Sequence, residues 1–170
     1  MTNKKLLLIA VIFIITIVGT VGVFAQDVTF GTADLVISGT IDKLVTIGYT
    51  PIGTPGDLDL TTTFSGAVAT INETSNVFAG YSIDITSATG SKFAGTAGNT
   101  DEVSYTATYD AANVDFAGAG AGNPVTVYDS DVDGKRFGAT NITFAIAYTG
   151  DPALLADTYS DTITFEIYAK

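Results

Sequence analysis

Asp129-Ser130-Asp131-Val132-Asp133-Gly134 is the stretch of this 170-residue sequence whose residue types and spacing come nearest to a known chemistry. Carboxylates at alternate positions can converge on one ion, and the glycine permits the sharp turn that follows, so D-x-D-x-D-G opens a calcium loop. The match then stops. The twelfth position, where a bidentate Glu would close the coordination shell, is Thr140, and Lys135 and Arg136 place two positive charges beside the carboxylates. Asp129, Asp131 and Asp133 are therefore expected either to hold calcium weakly or to form an acidic hairpin loop neutralised by its own basic neighbours.

Other chemistry is narrowed by composition. The chain has no Cys and no His, which removes thiolate nucleophiles, imidazole bases and zinc sites of the usual nitrogen or sulfur type. Fifteen aspartates invite a search for paired catalytic carboxylates, but such a pair needs one member raised by a closed apolar setting. The acidic residues here fall mainly in turns or on polar strand faces, so no catalysis and no cofactor beyond weak calcium is expected. Tyr105, Tyr109 and Tyr148 lie on apolar strand faces and read as core residues with a polar tip, which leaves Tyr168 as a platform for a sugar. Asn72-Glu73-Thr74 and Asn141-Ile142-Thr143 fit the glycosylation sequon, a motif short enough to arise by chance.

The elements that must position these residues are strands. In the closing stretch Asp157–Tyr168, Ile163, Phe165 and Ile167 fall on one face and Thr162, Thr164 and Glu166 on the other, the two-residue period of a half-buried strand. The same alternation recurs in Tyr81–Thr86, in Glu102–Tyr109 and in Asn141–Tyr148, and shorter runs occur at Ala67–Ile71 and Val125–Tyr128. Leu35–Ile41, with Leu35, Ile37 and Ile41 in phase, and Leu44–Tyr49 read as the first two core strands. Pro51, Gly53, Pro55 and Gly56 mark a loop, Ser87–Thr100 a long loop or loosely held edge, and Ala117–Asn123 a Gly/Ala loop with no packing content. Seven to nine short strands with no helical period predict an all-β, antiparallel, immunoglobulin-like β-sandwich.

Met1–Ala25 reads as a signal peptide: Lys4 and Lys5 precede an apolar run from Leu6 to Val18, and Val23-Phe24-Ala25 supplies the cleavage site. The remaining 26–170 is a comfortable length for one domain with one core, folded without disulfides. Seven basic residues less Lys4 and Lys5 leave five against 18 acidic ones, a formal charge of −13. That charge repels phosphate backbones and anionic headgroups, so neither nucleic-acid nor peripheral membrane binding is expected, and no stable membrane insertion is expected after cleavage. The localisation implied is periplasm, cell surface or outside the cell.

Asp157-Thr158-Tyr159-Ser160-Asp161-Thr162-Ile163-Thr164-Phe165 resembles the final strand of spore coat protein U type pilins, secreted bacterial subunits of the chaperone-usher route. Leu35-Val36-Ile37-Ser38-Gly39-Thr40 resembles the opening strand of many such subunits. The resemblance implies a surface fibre or coat subunit, completed by a strand from a neighbouring copy or related subunit and handled by a periplasmic chaperone. A phase break fits that scheme: Val28 and Phe30 occupy even positions, whereas Leu35, Ile37 and Ile41 occupy odd ones. Residues 26–34 are thus expected to form an N-terminal donor arm with Val28 and Phe30 as its contact residues, rather than a β-bulge in one continuous strand. The competing expectation is a secreted binding module for a glycan or calcium.

Overall fold

The computed structural model describes residues 37–170 except Ala97. The signal segment 1–25, the arm 26–34 and its Val28 and Phe30 lie outside the described residues. Nine strands follow in order: β1 (Val45–Pro51), β2 (Phe64–Ser75), β3 (Tyr81–Ser87), β4 (Lys92–Ala94), β5 (Glu102–Tyr109), β6 (Ala112–Val114), β7 (Pro124–Asp129), β8 (Gly138–Tyr148) and β9 (Ile163–Ala169). One four-residue helix, α1 (Phe116–Ala119), sits between β6 and β7. No helix among the described residues is long and apolar enough to cross a membrane.

Alternation builds the two sheets. Every second residue of β3, from Tyr81 to Ser87, is buried, as are Val103, Tyr105, Ala107 and Tyr109 of β5 and Ile142, Phe144, Ile146 and Tyr148 of β8. The larger sheet runs β1-β2-β8-β5-β4, with β6 also paired to β5, and the smaller runs β7-β3-β9; every pairing is antiparallel. Ile71, Ile83 and Ile85 are fully buried between them, together with Tyr81, Tyr109, Tyr128 and Phe116. The arrangement is that of an antiparallel β-sandwich.

Two irregularities shape the larger sheet. The register of β2 against β8 shifts between Ala67 and Ala69, so that Val68 and Ala69 are both buried although adjacent, as a β-bulge requires. The β5–β6 hairpin turns on Asp110 and Ala111, both with positive φ (51° and 64°), the conformation that a two-residue turn needs to match strand twist.

The registers define two poles. Ser75 of β2 faces Gly138 of β8 and Val45 of β1, while Tyr81 of β3 faces Ala169 of β9, which brings the β2–β3 turn, the β7–β8 loop and the end of β9 to one pole. Phe64 opposite Tyr148 and Ser87 opposite Ile163 mark the other, which carries segments 52–63, 88–101 and 149–162.

Most expected strands appear within a few residues of their sequence limits. The first does not: residues 37–43 form no strand, and Ile37 and Ile41 are 85% and 87% exposed. Their β-branched pattern finds no pairing partner among the described residues, so propensity alone builds nothing there. Two loops are also more structured than composition suggests. The Ala117–Asn123 stretch begins within α1, anchored by buried Phe116 and capped where the Asp115 carboxylate accepts the Gly118 N–H at 2.8 Å. Ser87–Thr100 contains β4 and is tied down at several points described below.

Candidate functional site

In the Asp129–Gly134 loop the carboxylates already have partners. The Lys170 ammonium donates to Asp129 Oδ1 and, at 2.6 Å, to Asp131 Oδ2. Asp129 Oδ1 also accepts the Asp131 N–H at 2.8 Å, and Asp133 Oδ2 accepts the Asp129 N–H at 2.7 Å. The hydrogen bond from Lys170 holds the Asp129 carboxyl below its ordinary range, and the two aspartates in turn raise the Lys170 amine. Asp129 and Asp131 thus share one cation supplied by the end of β9, while Asp133 shapes the turn. Among the described residues no group of three or more acidic side chains is arranged to hold a metal ion.

The same pole contains a buried carboxylate that sequence reasoning did not single out. Glu73 of β2 has no exposed surface. Tyr81 of β3 donates to its Oε2 at 2.6 Å, Tyr109 of β5 donates to its Oε1, and Arg136 Nη1 stands 3.5 Å from Oε2. Arg136 also binds Asp110 at 2.9 Å and lies 4.2 Å from the centre of the Tyr128 ring. Burial, and then the hydrogen bonds to Glu73, push the Tyr81 and Tyr109 hydroxyls far above their usual range, so both remain donors. Burial alone would lower the Arg136 pKa, but Glu73 and Asp110 outweigh it and the net shift is upward. Among the described residues Arg136 Nη1 makes no hydrogen bond itself, so Glu73 is held by two tyrosine hydroxyls and a nearby guanidinium, a structural lock between the sheets.

At the other pole the D-T-Y-S-D-T motif acts as a clasp. Asp161 accepts from Ser87 Oγ and Tyr105 Oη, each at 2.5 Å, and from the Thr89 N–H at 3.2 Å. Asp157 accepts from the Thr96 N–H and Oγ1, from Asn99 Nδ2 and from the Thr158 N–H, at 2.5–2.9 Å. Hydrogen bonds from Thr96 first, then from Asn99, hold the Asp157 carboxyl down at about 2. Ala94 and Ser160 exchange main-chain hydrogen bonds at 3.1 and 3.0 Å, and Tyr159 donates to the Leu155 carbonyl at 2.8 Å. These contacts fasten the 88–101 segment to the chain entering β9.

Two concave surfaces flank this clasp. A cleft of about 610 Å³ lies between segments 55–61 and 154–161, with Leu58, Leu60, Phe93 and Leu154 lining it beside Asp57 and Asp157. A groove of about 320 Å³ runs between β1 and β9, lined by Tyr49, Pro51, Val68, Phe144, Ile163 and Phe165. The groove is apolar; its carboxylate, Asp161, is already spent on the clasp. Tyr105, Tyr109 and Tyr148 are buried, their hydroxyls bonded to Asp161, Glu73 and the Asp59 carbonyl, whereas Tyr168 is 48% exposed. Asn72 and Asn141 lie on outward phases of β2 and β8. No protein-family model matches the chain, and no curated protein resembles it closely enough to suggest a relative.

Three outcomes follow from these contacts. Millimolar calcium leaves the melting temperature nearly unchanged, because Lys170 already supplies the loop's cation; a site at a hundred times its dissociation constant would instead add about 2.7 kcal/mol. A rise that disappears in Asp131→Ala would contradict this. Glu73→Ala costs about 3–5 kcal/mol in urea unfolding, as expected when a buried ion pair loses one partner, and Tyr109→Phe about 1–3 kcal/mol. The pH response of the clasp is fixed by the depressed Asp157 carboxyl: its contribution is fully present above the unfolded value of about 3.9 and is lost as pH falls through about 2. Amides of residues 88–101 lose hydrogen-exchange protection over that window, and in Asp157→Asn the loss is already present at neutral pH.

Proposed function

We propose that the chain is an exported structural subunit of a bacterial surface fibre or coat, an immunoglobulin-like sandwich that assembles by β-strand addition and carries out no catalysis. The observation that carries the reading is an interior left open. In β1, Tyr49 and Pro51 pair with Ile71 and Ala69, whose side chains are buried between the sheets, so Tyr49 and Pro51 point the same way. Tyr49 is nevertheless 68% exposed.

Across the groove, among the described residues, β9 pairs only with β3 and β1 only with β2. Ile163 and Phe165 of β9 are half-buried and line the opening. Two edges without a partner among the described residues, flanking an apolar groove, offer main-chain hydrogen bonds and side-chain pockets together, which is what an added strand uses. The donor is the arm 26–34 of a neighbouring copy, with Val28 and Phe30 entering the groove. A periplasmic chaperone would hold the same groove before assembly.

Tyr49→Asp in the acceptor and Phe30→Asp in the donor each abolish multimers that resist detergent at room temperature and dissociate on boiling. Tyr49→Asp changes monomer stability by no more than about 0.5 kcal/mol, since the side chain is already exposed. Multimers that survive both substitutions, or deletion of Gln26–Thr32, would show that strand addition by this arm is wrong. Unfolding of the isolated monomer by Phe30→Asp would assign the segment to the subunit's own core instead.

A further inference from the structure

The outer face of the larger sheet takes no part in the locks or the groove. Thr50, Thr70 and Thr143 stand abreast on β1, β2 and β8, and Gly48, Asn72 and Asn141 form the next row. In β2 and β8 these positions alternate with buried Ile71 and Ile142, so their side chains point outward. The remaining outward positions of β1, β2, β5 and β8 carry only Thr, Ser or Ala, apart from Glu102 at the start of β5, which is paired with Lys92 at 2.6 Å on the sheet's edge. A solvated sheet face ordinarily shares the charge of its protein, and this chain sets 18 acidic residues against 7 basic ones. The outer face of the smaller sheet follows that rule, with Asp84 of β3 directly opposite Glu166 of β9.

Two copies repel one another wherever carboxylates meet, at either pole or across the smaller sheet, and the outer face of the larger sheet is where they can approach without that cost. The face is also easy to desolvate. Asn72 Nδ2 donates to Thr50 Oγ1 at 3.0 Å and Thr106 Oγ1 to the Ala147 carbonyl at 3.4 Å, so part of its polar content is satisfied across the strands without water. Its short side chains lose little rotamer freedom on contact, and the methyl groups of Thr and Ala supply apolar area. Strand spacing and rise give it roughly 19 Å across four strands and about 30 Å along β2 and β8, on the order of 550 Å². Two such faces together bury about 1,100 Å², enough for a specific contact of the smaller kind.

We propose that two copies pack through this face, larger sheet on larger sheet, with the Thr50–Thr70–Thr143 and Gly48–Asn72–Asn141 rows at the centre of the contact. The same surface serves both partners, so the contact is isologous and closes as a pair. The shared twist of the two sheets lets them lie with strands nearly aligned, as the two sheets of a sandwich do. The contact uses the outward phase of the strands and leaves the groove between β1 and β9 untouched, so it is independent of strand addition and joins subunits side to side.

Sedimentation equilibrium of the mature chain carrying Phe30→Asp, which disables strand addition, reads this contact alone. The expected result is a reversible dimer with a dissociation constant below about 1 mM that tightens as salt is raised, because screening relieves the repulsion between two acidic bodies and a contact without ion pairs has none to lose. Thr143→Glu, and independently Thr106→Glu, each at an exposed position, weaken the dimer about tenfold or more and leave the melting temperature of the monomer nearly unchanged. Thr164→Glu on the outer face of the smaller sheet adds the same charge and leaves the dimer intact. A chain that stays monomeric up to that concentration, a dimer that salt loosens, or one weakened equally by Thr143→Glu and Thr164→Glu would overturn the proposal. So would a monomer that binds insoluble cellulose and loses that binding in Thr143→Glu, because the face would then serve a flat neutral glycan.

Discussion

The sandwich depends on one buried charge. Glu73 sits without solvent on β2 and can remain there only while Tyr81, Tyr109 and Arg136 satisfy it together, since an unpaired carboxylate in that position would cost several kcal/mol. These three partners come from β3, β5 and the β7–β8 loop, so the carboxylate fixes both sheets and one loop relative to one another. Such a network specifies geometry more than it adds stability, because the desolvation it offsets is of the same order as the attraction it gains. A domain without disulfides that closes its core with tyrosines needs this kind of directional contact to hold a single packing.

The other pole is held by the same means with weaker desolvation. Asp161 and Asp157 collect hydroxyl, amide and main-chain donors from the 87–99 segment, and the intervening Ala94–Ser160 pair adds two main-chain bonds. Between the two polar locks the core is apolar, built on Ile71, Ile83, Ile85, Ile142 and Phe144. Aromatic contacts stitch it laterally, with Phe144 edge-on to Phe165 at 5.3 Å and Tyr81 against Tyr128 at 4.9 Å. The closing strand β9 therefore belongs to both regimes: its entry is clasped by carboxylates, its middle packs on β8, and its end is latched by Lys170 to the β7–β8 loop.

What could be read in the sequence was local and periodic. Tyr81–Thr86, Glu102–Tyr109 and Asn141–Tyr148 announce their strands because alternation directly reports a half-buried face. Glu73 was legible in principle: Ala69, Ile71, Glu73 and Ser75 share a phase, and extending the Ala67–Ile71 pattern by two residues would have placed a carboxylate inward. The clasp and the Lys170 latch were not legible, because the partners they join lie 39 to 74 residues apart and carry no local signature. Of the Leu35–Ile41 pattern, the described part, residues 37–41, forms no strand, since a strand-like pattern states a preference for pairing and cannot supply the partner. The Asp129–Asp133 spacing shows a half motif in the sequence but not the distant Lys170 ammonium that Asp129 and Asp131 accept.

β1 and β9 come close to each other and still leave a groove, lined by Tyr49 and Phe165, between them. A strand edge without a partner among the described residues, beside an apolar groove, would gain main-chain hydrogen bonds and apolar burial from an added strand. The most direct test is hydrogen exchange of the β9 amides in monomer and multimer. The account predicts that amides of β9 not bonded to β3 exchange freely in the monomer and become strongly protected in the multimer. Multimers whose β9 amides exchange as fast as those of the monomer would contradict it.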